Sequence, residues 1–402
     1  MTDTVTTRPP HATGIGSVKP DGWAYNRAPM IVYWELTNAC GLACRHCRAT
    51  AMPDPAPGEL TTAQALRVLD DILGFAGPGE SLPHVVMTGG DPLRRYDLET
   101  LVAEAGRRGI GVSLAPAVTD LLTRERMDWM KAAGIQAISL SLDGSTADLH
   151  DGVRMVPGTY DATIAALDMA AEVGLPVQVN TLVTATTAAD LPATYELLRT
   201  HTLQQWSLFF LISIGRGSEL AELAPGDAER VLAWAQKVGR DAPFRVKTTE
   251  AMHYRRLGAA ALLRAGKTRA EVEAHPMARA FGIRDGNGIV FISHLGDVTP
   301  SGFLPLSVGN VKDASLVALY RDNELMRSLR DPDRFKGRCG ICEYHDWCGG
   351  SRARAYAWTG DPLESDPLCP HVPAPVPAGS HPQESIPLEP DPLRPDVPQG
   401  IL

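Results

Sequence analysis

The segment IVYWELTNACGLACRHC, residues 31–47, is the most informative stretch of this sequence. It begins with an apolar run, Ile31 to Leu36, which is typical of a buried strand in a parallel sheet. Three cysteines follow directly, Cys40, Cys44 and Cys47, in the spacing CxxxCxxC. Three thiolates so close together can bind one face of a cubane [4Fe-4S] cluster and leave the fourth iron open. We therefore expect a metal site where the first strand ends.

Zinc is the alternative metal at this site, because thiolates also favour zinc. Zinc needs a fourth ligand, and its usual motifs pair cysteines as CxxC. His46 is a poor fourth ligand, since it lies between Cys44 and Cys47 and its side chain should point away from them. The sequence favours the iron-sulfur cluster and leaves zinc open.

A second motif, Thr88-Gly89-Gly90-Asp91-Pro92, follows about forty residues later. The two motifs together resemble the radical S-adenosylmethionine (SAM) superfamily. The resemblance implies that the amino and carboxylate groups of SAM chelate the open iron. It also implies that an electron from the cluster cleaves SAM to methionine and a 5′-deoxyadenosyl radical, which takes a hydrogen atom from a substrate.

Composition and charge limit the domain size, the cellular location and the kinds of partner that we expect for this protein. A chain of 402 residues that is 44% hydrophobic suffices for one large domain and a smaller one. Neither a membrane span nor a signal peptide is visible, so we expect a cytoplasmic protein with reduced thiols. The net charge of −9, without basic blocks, argues against nucleic acid as a partner.

From Ile31 onward, short apolar runs alternate with helical patterns, which predicts βα repeats and a parallel sheet. The predicted strands are Ile31–Leu36, His84–Met87, Gly111–Leu114, Ala137–Leu142, Val177–Val183 and Trp206–Ser213. Six repeats predict an α/β fold with a partial (β/α)6 TIM-like barrel, short of the eight repeats of a closed barrel. The motif residues follow the C-terminal ends of these strands, the edge where parallel α/β folds place their active sites.

The radical SAM resemblance implies which residues contact SAM. They are the amino-group contacts Thr88, Gly89, Gly90 and Asp91, the ribose contacts Ser141, Asp143 and Asn180, the carboxylate partner Arg154, and the adenine neighbours His46 and Gly215. A bare glycine backbone lets carbonyl oxygens approach a cation closely, and the planar guanidinium of an arginine suits a carboxylate. Each residue has an alternative structural explanation as a turn, a helix cap or an ion pair.

A second set of cysteines, Cys339, Cys342, Cys348 and Cys369, has the spacing CxxCxxxxxCx20C. Four thiolates can ligate every iron of a second [4Fe-4S] cluster or enclose one zinc ion. The segment resembles the C-terminal SPASM and twitch domains of radical SAM enzymes, which favours iron. A full SPASM pattern has seven cysteines, and Ser301 and Arg352 stand where two of them would be. The resemblance therefore implies one auxiliary cluster, fully ligated by protein.

The sequence around that second set points to a subfamily. The segments PSGFLP (300–305), GNV (309–311) and CGGSRARAY (348–356) resemble radical SAM enzymes of the alternative heme and heme d1 pathways. The resemblance implies a tetrapyrrole propionate as substrate and a low-potential electron donor such as flavodoxin or ferredoxin. Arg216, Arg352 and Arg354 are candidate partners for substrate carboxylates, although ion pairs within the protein explain each of them better. His294 is a candidate axial ligand of a heme iron.

Two other functions stay open on the sequence alone. One is a SPASM-type maturase that modifies a ribosomally made peptide, and the other is a non-enzymatic iron-sulfur or zinc protein.

The domain organisation we expect is an N-terminal arm (1–27), a radical SAM partial barrel (28–220), a helical linker (221–283), a SPASM/twitch-like domain (284–375) and a Pro-rich tail (376–402).

Overall fold

The computed structural model describes residues 23–77 and 80–373. Most of the predicted N-terminal arm and the whole Pro-rich tail lie outside these residues. None of the helices in the described part combines the length and apolar character that a membrane span requires.

The strands of the described residues form one mixed sheet. They are β1 (Ile31–Glu35), β2 (His84–Thr88), β3 (Val112–Leu114), β4 (Ile138–Ser141), β5 (Val177–Val183), β6 (Gln205–Phe210), β7 (Arg245–Thr249), β8 (Ile289–Ile292), β9 (Asp297–Thr299) and β10 (Gly309–Asn310). Their order is β10-β9-β8-β1-β2-β3-β4-β5-β6-β7. Strands β8 and β1 to β7 are parallel to one another. Strand β9 is antiparallel to both β8 and β10.

Helices connect the strands and cover one face of the sheet. In the described residues they are α1 (Thr62–Leu73), α2 (Leu98–Arg107), α3 (Arg124–Ala132), α4 (Ala147–Arg154), α5 (Thr159–Val173), α6 (Leu191–Leu198), α7 (Pro225–Asp241), α8 (His253–Arg264), α9 (Arg269–Glu273), α10 (Leu316–Asp322), α11 (Glu324–Arg330), α12 (Gly337–Gly340) and α13 (Arg352–Thr359). A capping box of Thr61 and Gln64 begins α1.

The six predicted strands are present as β1 to β6, and the α/β fold with a parallel sheet is confirmed. One detail of the prediction was wrong: the segment 221–283, expected to be a helical linker, contains β7. Further along the chain, α10 and α11 are separated at Asn323, whose side chain caps α11. The sequence of β7, RVKTT, has no apolar run and every residue is half-buried, so it lacks the usual strand signal.

The two faces of the sheet differ in polarity because side chains alternate along each strand. On the helix-covered face, Trp206 of β6 packs against Tyr195 and Trp234 in the main hydrophobic core. On the opposite face, Ser207 lies 3.3 Å from Thr249 of β7, measured between the hydroxyl oxygens. This opposite face, which we call the inner face, is lined largely by polar side chains in β4 to β7.

Candidate active site

The segment 37–47, which we call the cysteine loop, is held against the end of β2 by two glycines. The amides of Gly90 and Asp91 donate hydrogen bonds to the carbonyls of Thr37 (2.8 Å) and Ala39 (2.7 Å). A Cβ atom at Gly89 would lie 2.8 Å from the Thr37 carbonyl oxygen, and one at Gly90 would overlap that of Ala39. Both positions therefore need glycine for the loop to pack here.

Residues after β6 hold the cysteine loop from another side. Gly215 has φ +52°, and a Cβ there would lie 2.7 Å from the carbonyl oxygen of Cys47. The backbone amide of Arg216 donates to that carbonyl (3.1 Å), and its guanidinium Nε donates to the carbonyl of Cys44 (2.9 Å). The two glycine motifs and the three cysteines thus meet at the C-terminal edge of the sheet.

Each thiol of the cysteine loop accepts one hydrogen bond. The donors are the amide of Leu42 to Cys40 (3.3 Å), the amide of Ala51 to Cys47 (3.4 Å) and the guanidinium of Arg154 to Cys44 (3.5 Å). Burial, together with nearby Asp91 and the other two cysteines, raises the pKa of Cys40 to about 11. The N–H donors and the arginine cation favour thiolate once a metal replaces the proton.

The spacing of the sulfurs separates the two candidate metals. Tetrahedral zinc with Zn–S bonds of about 2.3 Å would bring its sulfurs to about 3.8 Å from one another. Within the described ranges, the one group of three possible ligand atoms that all lie within 4.8 Å belongs to Cys342, Glu343 and His371. In neither cysteine set do three sulfurs therefore lie as close together as tetrahedral zinc requires. A cubane binds each thiolate on a different iron and does not require such close sulfurs.

The side chain of Asp91 is already engaged within the protein. Its carboxylate accepts hydrogen bonds from the amides of Leu93 (3.1 Å) and Ala117 (3.3 Å) and from the hydroxyl of Thr119 (3.2 Å), and burial raises its pKa. A contact between this motif and the SAM amino group is thus left to the backbone carbonyls of Thr88 to Asp91, and it stays a prediction.

Asp143 and Arg154, predicted to contact different parts of SAM, pair with each other. Arg154 Nη2 lies 2.5 Å from Asp143 Oδ2, and both side chains are largely buried. The other carboxylate oxygen of Asp143 accepts the amide of Leu182 (2.8 Å). Although burial opposes ionisation, the Arg154 cation keeps the pKa of Asp143 below its ordinary value. The pair therefore forms one charged unit beside the cysteine loop.

The remaining predicted SAM contacts lie near this unit. Ser141 of β4 is directly opposite Asn180 of β5, whose side-chain oxygen accepts from Gln178 (2.6 Å). His46 has a buried Nδ1 atom without a hydrogen-bond partner among the described residues. Burial, reinforced by Arg154, lowers the pKa of His46 to about 4, so its ring is neutral. A buried polar atom without a partner suits a site that holds a ligand.

The second cysteine set forms one site, which we call the auxiliary site. All four sulfur-bearing residues line a single cavity: Cys339, Cys342, Cys348 and Cys369. The amide of Asp366 donates to the sulfur of Cys339 (3.4 Å), and the amide of Tyr344 donates to that of Cys342 (3.5 Å). Burial raises the pKa of Cys342, Cys348 and Cys369 to about 12. This donor set fits one fully ligated metal group.

The two positions where a full SPASM pattern has cysteines belong to a hydrogen-bond network instead. The hydroxyl of Ser301 donates to the carboxylate of Asp285, which also accepts the backbone amide of Arg352 (3.0 Å). The Arg352 guanidinium donates to the carbonyls of Pro362 (3.1 Å) and Glu364 (2.6 Å) and lies 3.6 Å from Cys339 Sγ. Arg352 thus connects this network to the auxiliary site.

Arg352 and Arg354, two of the candidate carboxylate partners, are fully buried and used inside the protein, so the suggestion was wrong for them. Arg216 donates to the carbonyl of Cys44, but its Nη2 atom has no partner among the described residues, so its role stays a prediction. Arg354 is fully buried, pairs with Glu222 at 2.9 Å and donates to the carbonyls of Glu250 and Leu211. His294, the candidate axial ligand, hydrogen-bonds through Nδ1 to Glu35, which also pairs with Arg48 at 2.9 Å.

Sequence reasoning missed the charged residues of β7, Arg245 and Lys247, which lie on the inner face beside β6. The only available signal was the placement of two basic residues two positions apart, which is the strand period. That signal is too short to identify a strand.

Comparison with known proteins gives the following similarities. A family model for the radical SAM superfamily matches residues 34–198. An AdoMet-dependent heme synthase from Methanosarcina barkeri is 36% identical over 87% of this chain and 99% of its own length. A pre-heme d1 synthase from Dinoroseobacter shibae is 30% identical over 84% of this chain and 85% of its own length. The mycofactocin maturase MftC from Mycobacterium tuberculosis is 29% identical over 85% of this chain and 83% of its own length.

Among solved structures, SuiB from Streptococcus suis bound to S-adenosylmethionine has a similar fold. Its TM-score is 0.66 with 15% sequence identity, and the match covers 86% of this chain and 78% of SuiB. At this identity the likeness concerns the fold.

Proposed function

The chain belongs to the radical SAM superfamily, in the subfamily that includes the AdoMet-dependent heme synthases, and we propose that it modifies a propionate side chain of an iron tetrapyrrole. The observation that carries the proposal is the 36% identity to a heme synthase across 99% of that protein's length. A match over 87% of this chain is about twice as long as residues 34–198, which the family model matches, and so is not limited to the barrel.

We assign the metal ligands from the two cysteine sets. Cys40, Cys44 and Cys47 would hold the cluster that binds SAM, and the four cysteines of the auxiliary site would hold a second [4Fe-4S] cluster. When bound, the first cluster supplies the electron that cleaves SAM and so generates the radical that removes a hydrogen atom from the substrate.

The protein residues position and enclose these groups. Gly89, Gly90 and Gly215 allow the close packing that fixes the cysteine loop, so Cys40, Cys44 and Cys47 would hold the cluster at the C-terminal edge of the sheet. Arg154, oriented by its ion pair with Asp143, would donate a hydrogen bond to the Cys44 thiolate, since its guanidinium lies 3.5 Å from that sulfur. On the inner face, Phe303 lies 6.5 Å from Phe209 between ring centroids, so the C-terminal segment covers part of the barrel and would limit access of water.

The experiment that tests this proposal uses anaerobically purified, iron-loaded protein. We expect iron-coproporphyrin to bind with a shift of its absorption spectrum, and 5′-deoxyadenosine to form from SAM with dithionite or reduced flavodoxin as the electron donor. Loss of a propionate carboxylate would appear as a mass decrease of the porphyrin. An enzyme that cleaves SAM but neither binds nor changes the porphyrin contradicts the proposed substrate.

A second candidate function is the maturation of a ribosomally made peptide, favoured by the 29% identity to MftC. Peptides encoded near the gene, incubated with SAM and reductant, test it. A peptide mass change, without a porphyrin mass change, would establish this alternative.

A further inference from the structure

We propose that Lys247 binds a carboxylate of the substrate on the inner face, beside the predicted ribose site of SAM. This inference rests on the proposed function, because it takes the propionates of a tetrapyrrole as the source of the carboxylate. It adds a substrate-binding residue in β7, a strand whose sequence has no apolar run.

The position of Lys247 follows from the register of β7. Lys247 is directly opposite Ser207 of β6, and Thr249, two residues further along β7, approaches the Ser207 hydroxyl at 3.3 Å. Side chains two residues apart in a strand share a face. Val246, the residue before Lys247, packs with the hydrophobic core on the helix-covered face. Lys247 therefore lies on the inner face.

The same register places Lys247 in line with the predicted SAM contacts. Ser141, Asn180, Ser207 and Lys247 are consecutive partners across β4, β5, β6 and β7. Neighbouring strands lie about 4.8 Å apart, so the backbone of Lys247 is about 10 Å from that of Asn180. A lysine side chain of four methylene groups spans much of that distance. A group bound by its ammonium would lie next to a nucleoside held at Ser141 and Asn180.

The charge on Lys247 has no partner within the described chain. The side chain is half-buried, and its ammonium makes neither a hydrogen bond nor an ion pair with another described residue. The charged groups that act on it are Arg245 and Arg255, which have the same sign. Burial and these two cations lower the pKa of Lys247 to about 7. Within residues 23–77 and 80–373, no acidic side chain is among the charged groups that act on Lys247.

A partly buried cation that is surrounded only by like charges is destabilised, and a counter-ion would relieve that cost. A carboxylate that enters with the substrate would supply the missing charge, bind to the ammonium and be attracted by Arg245 and Arg255 as well. A tetrapyrrole propionate ends in such a carboxylate. The arrangement thus favours one propionate being held near the radical source.

The test compares Lys247→Gln with Lys237→Gln in the iron-loaded protein with SAM bound. Lys237 is an exposed lysine of α7 and gives a matched charge removal. The probes are iron-coproporphyrin and its tetramethyl ester, measured by absorption titration in one detergent buffer. We expect Lys247→Gln to raise the Kd of the tetra-acid at least tenfold and to leave the Kd of the ester within twofold. Lys237→Gln should change neither value.

Lys247→Arg is a second variant that keeps the positive charge. It tests the inference even if the glutamine variant misfolds. We expect it to keep the Kd of the tetra-acid within threefold of wild type. Equal tetra-acid affinity in wild type and Lys247→Gln, or an equal loss for acid and ester, would overturn the inference. If wild-type protein itself fails to bind iron-coproporphyrin, the proposed function fails instead, and the two failures are distinguishable.

Discussion

The guanidinium of Arg154 lies 2.5 Å from the carboxylate of Asp143 and 3.5 Å from the sulfur of Cys44. One buried cation therefore links a residue after β4 to the cysteine loop after β1. Arg154 is 110 residues from Cys44 in the sequence, so only the folded sheet brings these groups together.

Removal of the carboxylate from this pair tests its contribution to stability. Asp143→Asn leaves the Arg154 cation buried without its counter-ion, and we expect the free energy of unfolding in urea to fall by about 3 kcal/mol. Glu172→Gln is the control, because it breaks an exposed pair with Arg124 and should cost less than about 1 kcal/mol. A similar small loss for both variants would show that the buried pair adds no special stability.

The close packing of Gly90 predicts a large effect of one added methyl group. In Gly90→Ala the Cβ would overlap the carbonyl of Ala39, and the shift of that carbonyl would displace the adjacent Cys40. We expect the rate of 5′-deoxyadenosine formation to fall at least tenfold. Gly106→Ala, in α2, meets no atom within 4 Å and should keep the wild-type rate. Normal activity in Gly90→Ala would contradict the proposed packing role.

The iron content of cysteine variants tests the assignment of the two metal sites. Two [4Fe-4S] clusters give about eight irons per chain, so the triple change of Cys40, Cys44 and Cys47 to Ala should leave about four and abolish SAM cleavage. Replacing the four cysteines of the auxiliary site should also leave about four irons. Chemical analysis of iron, sulfide and zinc measures this. About four irons and one zinc in wild-type protein would mean that the auxiliary site holds zinc.

Buried histidines predict a loss of stability in mild acid. Burial lowers the pKa of His253 to about 4, whereas an unfolded histidine titrates near 6.5. The unfolded state therefore binds the proton first, and the stabilisation, complete above pH 6.5, is lost as the pH falls towards 4. Between pH 7 and 5.5 we expect His253 to account for about 1 kcal/mol of this loss. His253→Phe should reduce the pH dependence of urea unfolding by that amount, and an unchanged slope would contradict the prediction.

Local patterns in the sequence were sufficient for the main architecture. Apolar runs of strand length, helical periodicity between them, and cysteines separated by two to five residues are properties of neighbouring positions, and the structure has β1 to β6 where they predict strands. Six strands end within three residues of the prediction, because apolar patterning and turn residues define a strand locally.

The partners of individual charged groups were decided only by the tertiary structure. The sequence presented Asp143, Arg154, Arg352 and Arg354 as residues that could face a ligand, and the fold instead pairs or buries each of them among residues far away in the chain. It also placed β7 in the sheet and left Lys247 beside like charges. The reason is physical: a motif depends on covalent spacing, whereas burial and ion pairing depend on which strands become neighbours, and that is settled by packing of the whole chain.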